Sequence, residues 1–351
     1  MNYRRNRNYS QDMSVCRNEA QILAFSPLIF QAIKTMTDLK IFEYLHNIGK
    51  AGLNEMENAL NLNNYVLTVL MDIAVYAHLV NVNDGKYKLT GTGRCFCQDD
   101  TTIINMNFVN DVCYKGAFYL TESLKKGKPC GLKVFGDWDT IYEGLSKLPA
   151  YAQKSWFNFD NYYSDASFEA AVTILLKNNP VMVYDLGANT GKFGKVLLRM
   201  SQTAELTCFD LPEQLELAQK NIGENPRTSF QTVDILIDDL PSGADAIWMS
   251  QFLDCFSPER IVFILKKAAN ALNRGGKVYI LEPFIDKQRS NPAALALSAT
   301  SLYFVCMANG YSKIYKQSEF ELFIDSAGLL LTEAHQKIGD YDYTLLECMR
   351  K

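Results

Sequence analysis

Apolar residues recur at helical spacing from Gln21 to Leu45, at Ile22, Leu23, Phe25, Ile29, Ile33, Met36, Leu39, Phe42 and Leu45. The spacing predicts helix, interrupted at Pro27, which lacks the N–H the ladder needs. Leu53 to Leu60 and Asn64 to His78 predict two further helices. The period then changes. Leu79 to Val82, an Asn83-Asp84-Gly85 turn and Lys86 to Leu89 read as strand, turn, strand. Helix, helix, hairpin is a winged-helix order, and it places a mostly helical unit over residues 19–110. Residues 111–167 are rich in aromatic side chains, among them Tyr142, Trp156, Phe159 and Tyr163, and the Gly and Pro residues near 127–136 break helices there. This stretch reads as a helical linker whose rings pack between domains, wall a pocket for a flat substrate, or both.

From about residue 168 strands and helices alternate. Strands are predicted over 181–186, 205–209, 229–233, 244–249 and 277–281, with helices over 192–200 and 213–222. Ser257-Pro258-Glu259 opens another helix, with a capping hydroxyl, a proline in the first turn and an acid after it. That helix runs to about Leu272 and stops at Asn273-Arg274-Gly275-Gly276. Two more helices and closing strands over 329–337 and 341–349 follow. The fold class is α/β. The alternation predicts a parallel sheet covered on both faces, with ligands at the carboxyl ends of its strands. The domain of interest spans 168–351.

Composition narrows the partners. The 351 residues carry a net charge of −4, so no bulk basic field points to nucleic acid. The helix that would read DNA, Asn64 to His78, has no Arg or Lys, which favours an oligomerisation or substrate-lid role for the N-terminal unit. Residues 1–18 read as a disordered tip or arm, since the basic Met1-to-Arg7 start has no apolar segment behind it. No apolar run reaches the ~18 residues of a membrane helix, so no membrane partner is expected. The 9 cysteines form no CxxC and the 3 histidines do not cluster. Free thiols in a cytoplasmic protein, and no metal, are expected.

The sharpest motif is Asp185-Leu186-Gly187-Ala188-Asn189-Thr190-Gly191, closing the first strand of the alternating half. Gly187 permits a tight turn without a Cβ in the way, and the next helix begins at Gly191. A dinucleotide loop wants GxGxxG, but position 189 is Asn. Asp185 would repel a pyrophosphate and attract a cationic amino-acid group. Asp210 closes the second strand, placed to accept both ribose hydroxyls of a nucleoside, and Asp234 follows the third, placed to accept from an adenine amine with Ile235 against the ring.

With these motifs the chain resembles the class I methyltransferases, within them the small-molecule O-methyltransferase family of plant caffeic-acid type enzymes and bacterial relatives. The likeness covers roughly residues 20–350. It rests on Asp38 to Leu45, Tyr87-Lys88-Leu89-Thr90, the DxGxxxG loop, Phe209-Asp210-Leu211-Pro212, Ala246 to Leu253 and Gly276 to Glu282. The resemblance implies a Rossmann-like seven-stranded sheet and a winged-helix homodimerisation domain. It also implies S-adenosyl-L-methionine as cofactor, S-adenosyl-L-homocysteine as product, and a small, aromatic acceptor. Gly187, Asp210, Leu211, Asp234 and Ile235 would hold the cofactor, with Asp185 and Gly191 in its loop. A family lysine falls on Ser250, weakening that contact. Phe304, Val305 and Asn309 align with acceptor contacts.

One departure bears on mechanism. The family's base is a His in Leu-His-Asp-Trp, but the segment here is Leu253-Asp254-Cys255-Phe256, so the His position is Asp254. Of two family acids that orient the His, one matches Glu282 and the other falls on Ile314. Several readings stay open. Burial beside Glu282 raises the pKa of Asp254 so that it serves as base; the acceptor arrives ionised; the methylated atom is carbon or nitrogen; or Asp254 only caps the following helix, for which Ser257 is better placed. Two wider alternatives are an enzyme of this fold that binds the cofactor without methylating, and a winged-helix regulator that senses it.

Overall fold

A computed structural model describes residues 13–351. The chain forms two compact units, one ending at Asn110 and one spanning Asp111–Lys351. The expected arm lies in part outside the described residues.

In the first unit, helices α1 (Met13–Asp38), α2 (Ile41–Ile48), α3 (Leu53–Leu60) and α4 (Asn64–Tyr76) precede strands β1 (Val80–Asn83) and β2 (Lys86–Leu89), and α5 (Gly91–Gln98) and α6 (Asp100–Phe108) follow. Two expectations need correction. The helix starts at Met13, inside the segment assigned to the arm, and it runs through Pro27 without a break. Pro27 cannot donate to the carbonyl of Leu23, and the Ser26 hydroxyl donates to it instead at 2.8 Å. Asn63 caps α4 by accepting the amide of Val66 at 2.9 Å. The hairpin turns on Asp84 and Gly85, both at positive φ, as a two-residue turn between twisted strands requires. Ile41, Phe42, Leu45, Met56, Leu67 and Met71 bury together as this unit's core.

The second unit opens with α7 (Leu120–Lys126), α8 (Ile141–Gly144) and α9 (Ala150–Leu175). The boundary expected at 167/168 falls inside α9, which has no Gly or Pro to stop it and buries Phe168, Ala171, Val172 and Leu175. Then come β3 (Met182–Leu186), α10 (Lys192–Met200), β4 (Glu205–Asp210), α11 (Pro212–Ile222), β5 (Thr228–Thr232), β6 (Ala244–Ser250), α12 (Pro258–Ala271), β7 (Leu272–Glu282), α13 (Asn291–Tyr303), α14 (Gln317–Ser326), β8 (Leu329–Ile338) and β9 (Tyr343–Arg350). The seven strands order as β5-β4-β3-β6-β7-β9-β8. The sheet is mixed rather than wholly parallel. β3 to β7 run parallel, while β9 pairs antiparallel with both β7 and β8. A strand that returns by the short connection from β8 has no crossover helix to make it parallel.

Alternation along β6 divides the core. Ala246 and Trp248 face one apolar cluster and Ile247 and Met249 the other. Trp248 is a packing residue, stacked on Phe193 with ring centres 4.2 Å apart. Chain order reverses at β3, with β4 on one side and β6 on the other, so a crevice opens at the carboxyl ends of these strands.

The sequence Asn291–Ala308 departs from the expectation of no membrane-length segment. By length and composition alone it could cross a membrane. No charged side chain interrupts it, and interspersed Ala and Ser disguise the run. Its last residues, Tyr303, Phe304, Cys306, Met307 and Ala308, are buried within the second unit.

Candidate active site

β3 delivers Asp185 and Leu186 to the crevice, and Gly187 turns the chain at φ 75°. A Cβ on Gly187 would lie 2.4 Å from the Phe252 ring, so glycine is needed for space as well as for backbone conformation. Gly191, at φ 73°, precedes α10, and a Cβ there would meet Ile222 at 2.9 Å. Asp185 is 2% exposed, and its Oδ2 has no hydrogen-bond partner. Burial, with Asp210 nearby, holds its carboxyl well above the usual range. Asp210 ends β4 and is tied to the loop. Its Oδ2 accepts the Asn189 amide at 2.8 Å and its Oδ1 accepts the Leu211 amide at 2.7 Å. Burial raises its pKa and these amides oppose the rise. Each oxygen keeps a lone pair for a ligand. Leu211, 46% exposed, stands beside it.

Asp234 lies two residues past β5, where its Oδ1 accepts the Leu236 amide at 3.0 Å. Ile235 is buried in the apolar cluster beneath β6, which leaves little of it to face a ring. At the end of β6 the Ser250 hydroxyl and the side-chain Oε1 of Gln251 are buried without partners. An orphaned carboxylate oxygen, an orphaned hydroxyl and a ribose-spaced acid fit a nucleoside carrying a cationic amino-acid tail.

The acceptor side is built differently. Asp254 sits in a short 3-10 turn, Leu253–Cys255, after β6, and is 6% exposed. Glu282 ends the adjacent β7 and is 2% exposed. Its Oε1 accepts the amides of Phe252 and Leu253 at 3.2 and 3.1 Å, so it holds the turn, and its Oε2 has no partner. Burial first, and the Asp160 charge as well, push Asp254 up to about 7; burial and Asp254 hold Glu282 well above the usual range. Asp254 does not cap α12: the Ser257 hydroxyl accepts the Arg260 amide.

Of the three expected acceptor contacts, Phe304 and Val305 lie on the π-turn Phe304–Ala308 that prolongs α13. Asn309 is a correction. Its Nδ2 donates to the Cys255 carbonyl at 2.9 Å and to Ser312 Oγ at 2.8 Å, and its Oδ1 accepts the amides of Tyr311 and Ser312, both at 3.1 Å. With that capacity spent, it anchors the Asp254 turn and has no group left for an acceptor. Ile314 is buried.

Four residues join the site that no sequence motif pointed to. Asp160, on α9, accepts Asn189 Nδ2 at 2.9 Å, and burial lifts it to about 6. Trp156 Nε1, also on α9, donates to the Tyr303 hydroxyl at 2.7 Å. Tyr142 shares a hydrogen bond with Cys255. The only available signal was the aromatic density of 111–165, which marks a region and not a residue. Among the described residues Glu333, His335 and Glu347 approach closely enough to hold an ion, but Lys277 is paired with Glu347 there.

Comparison with known proteins bears on the family and the fold. A profile described as an O-methyltransferase domain matches residues 168–330, and one described as a dimerisation2-like domain matches 17–87. An L-tyrosine C(3)-methyltransferase of Streptomyces lavendulae is 26% identical over 315 residues, 87% of this chain and 85% of that protein. A 3-hydroxy-5-methyl-1-naphthoate 3-O-methyltransferase of Streptomyces sahachiroi is 28% identical, covering 85% of each. The apo crystal structure of the S-adenosylmethionine-dependent methyltransferase SibL shares the fold, with a TM-score of 0.74, 24% identity, and coverage of 94% of this chain and 98% of that one.

Proposed function

We propose that this chain, which carries an O-methyltransferase domain over residues 168–330, uses S-adenosylmethionine to methylate the hydroxyl of a small phenol with Asp254 as the base. The buried Asp254–Glu282 pair carries the reading. When bound, S-adenosylmethionine supplies an electrophilic methyl group on a sulfonium. Asp185, Gly187, Gly191, Asp210, Leu211 and Ser250 would hold it, with Asp234 reaching its base. The chain's own contribution is alignment and a place for one proton. Moving that proton from a phenol near pKa ~10 to a carboxylate near ~3.9 is uphill by about 8 kcal/mol. With Asp254 at about 7 the gap falls to about 4 kcal/mol. That fits inside the roughly 17 kcal/mol barrier of a reaction turning over once per second. Glu282 acts through Asp254: it fixes the turn by its backbone bonds.

A second reading has its own support. The relative from Streptomyces lavendulae is named for methylating a ring carbon of L-tyrosine. A phenolate is nucleophilic at the ring carbon beside its oxygen, so the same base serves either outcome, and on the carbon route it must also see the ring proton removed. Incubation with methyl-labelled cofactor and a phenol panel decides: a methoxy carbon signal supports oxygen transfer, a ring-methyl signal carbon transfer, and neither signal despite cofactor binding sinks both.

The regulator alternative gains nothing from α4, which carries no Lys or Arg. We also read the chain as a cytoplasmic homodimer. Ile22, Leu23, Phe25 and Leu28 are exposed along α1 inside the dimerisation-like match, and all 9 cysteines are free. Sedimentation would show a monomer if the dimer is wrong.

A further inference from the structure

We propose that the acceptor carries a cationic amine and that Asp160 receives it, an inference that rests on the phenol reading above. Three carboxyls gather on the acceptor side: Asp160, Asp254 and Glu282. Among the described residues none of the three is in an ion pair. The cation closest in influence, Lys192, is engaged by Asp165 at 2.5 Å. Glu282 Oε2, on a residue 2% exposed, has no partner at all. Negative charge among these carboxyls repels a carboxylate-bearing acceptor and does nothing to select a neutral one.

The two other acids have work already. Asp254 takes the proton and Glu282 holds the turn. The cofactor's own charges face Asp185 and Asp210 across the loop. Asp160 is left over: one oxygen is held by Asn189, and the α9 helix carries it toward the acceptor side, where its charge reaches Asp254, Cys255, Tyr303 and Tyr343. Trp156 stands one helical turn before it on the same face, bonded to Tyr303. A carboxylate shielded from water with a tryptophan one helical turn away is the chemistry of an alkylammonium site. Burial leaves Asp160 at about 6, so it is ionised at neutral pH and available to a cation.

The test uses three probes that share one phenol: tyramine (cationic), 4-ethylphenol (neutral) and 3-(4-hydroxyphenyl)propanoate (anionic). Each is titrated calorimetrically into the full chain saturated with S-adenosylhomocysteine. We expect tyramine to bind at least about tenfold more tightly than 4-ethylphenol, with the propanoate weakest. Asp160→Asn should bring tyramine within about twofold of 4-ethylphenol, and Asp160→Glu, which keeps the charge, should retain the preference. Affinity for S-adenosylhomocysteine should stay within about twofold in both. Equal binding of the three probes, binding of none, or a cofactor affinity that falls with Asp160→Asn overturns the proposal; the last would assign Asp160 to the cofactor's amine. Cation-selective binding without turnover of any phenol would sink the methylation reading and leave the amine site standing. Turnover without cation preference does the reverse.

Discussion

On the cofactor side of the crevice Asp210 is held by two backbone amides at 2.8 and 2.7 Å, and Gly187 and Gly191 set the loop around it. On the acceptor side Asp254 and Glu282 are buried, Glu282 keeps one oxygen without a partner, and the Asp254 charge opposes ionisation of Glu282. On both sides burial raises the carboxyls and hydrogen bonds oppose the rise, but on the acceptor side the charge of a neighbouring carboxyl adds to it. Neighbouring charge on top of burial separates a basic carboxylate from a binding one.

Substitution should split the two sides. Asp254→Asn is expected to lower kcat by roughly 10²–10⁴, the range of a lost general base, while S-adenosylhomocysteine affinity measured by calorimetry stays within about twofold. Turnover within a few-fold of wild type would remove Asp254 from the chemistry and break the contrast. Asp210→Ala should do the opposite. Loss of its charge-assisted bonds, worth about 1.5–3 kcal/mol, should weaken cofactor binding about 10- to 100-fold. Unaltered cofactor affinity in that variant would mean that the crevice holds something other than a nucleoside.

The same contrast governs what was legible in the sequence. The cofactor loop is local: Asp185, Gly187 and Gly191 sit within one turn, and Asp210 follows the next strand, so spacing alone brought them together. The mixed end of the sheet was not readable, because nothing in the apolar pattern of 343–350 states the direction in which a strand is paired. Asp160 was hidden for a different reason. It contributes through a bond to Asn189 across 29 positions of chain. Asn309 was expected as an acceptor contact because it aligns with one in the family, and its side-chain hydrogen bonds make it an anchor instead. Pro27 misled by rule: the carbonyl it orphans is retaken by Ser26, a local substitution that propensity does not score.

Proton affinity stored at Asp254 should be measurable from pH alone. If Asp254 must be ionised to act, kcat/KM should rise with pH through about 7 and level off above it. Stability should run the other way. The folded pKa lies above the unfolded ~3.9, so the native state binds more protons between about 4 and about 7, and stability falls across that window as pH rises. Below the window both states are protonated and the penalty is absent. Asp160→Asn removes the charge that helps raise Asp254 and should move the activity limb to lower pH. Asp254→Asn at pH 8 should melt higher than wild type, by about 2–4 °C for each ~1 kcal/mol recovered. A variant that melts lower at pH 8, or a limb that Asp160→Asn does not move, would show that burial and the Asp160 charge do not set the proton affinity of Asp254.

The smallest expected effect tests whether the Asp254 turn and the helix after it are separate devices. Ser257, not Asp254, accepts the Arg260 amide at the start of α12. Ser257→Ala should therefore cost about 1 kcal/mol of stability, the usual loss for a helix cap, with no displacement of the pH limb of kcat/KM. The reasoning turns on partners. If Asp254 were the real cap, its carboxylate would gain an amide in the folded state, its pKa would fall rather than rise, and removing Ser257 would scarcely matter because the first turn would keep its acceptor. A denaturant titration of Ser257→Ala that shows no loss of stability, together with a limb that moves, would place the cap on Asp254 and take from the acceptor side the raised proton affinity that distinguishes it from the cofactor side.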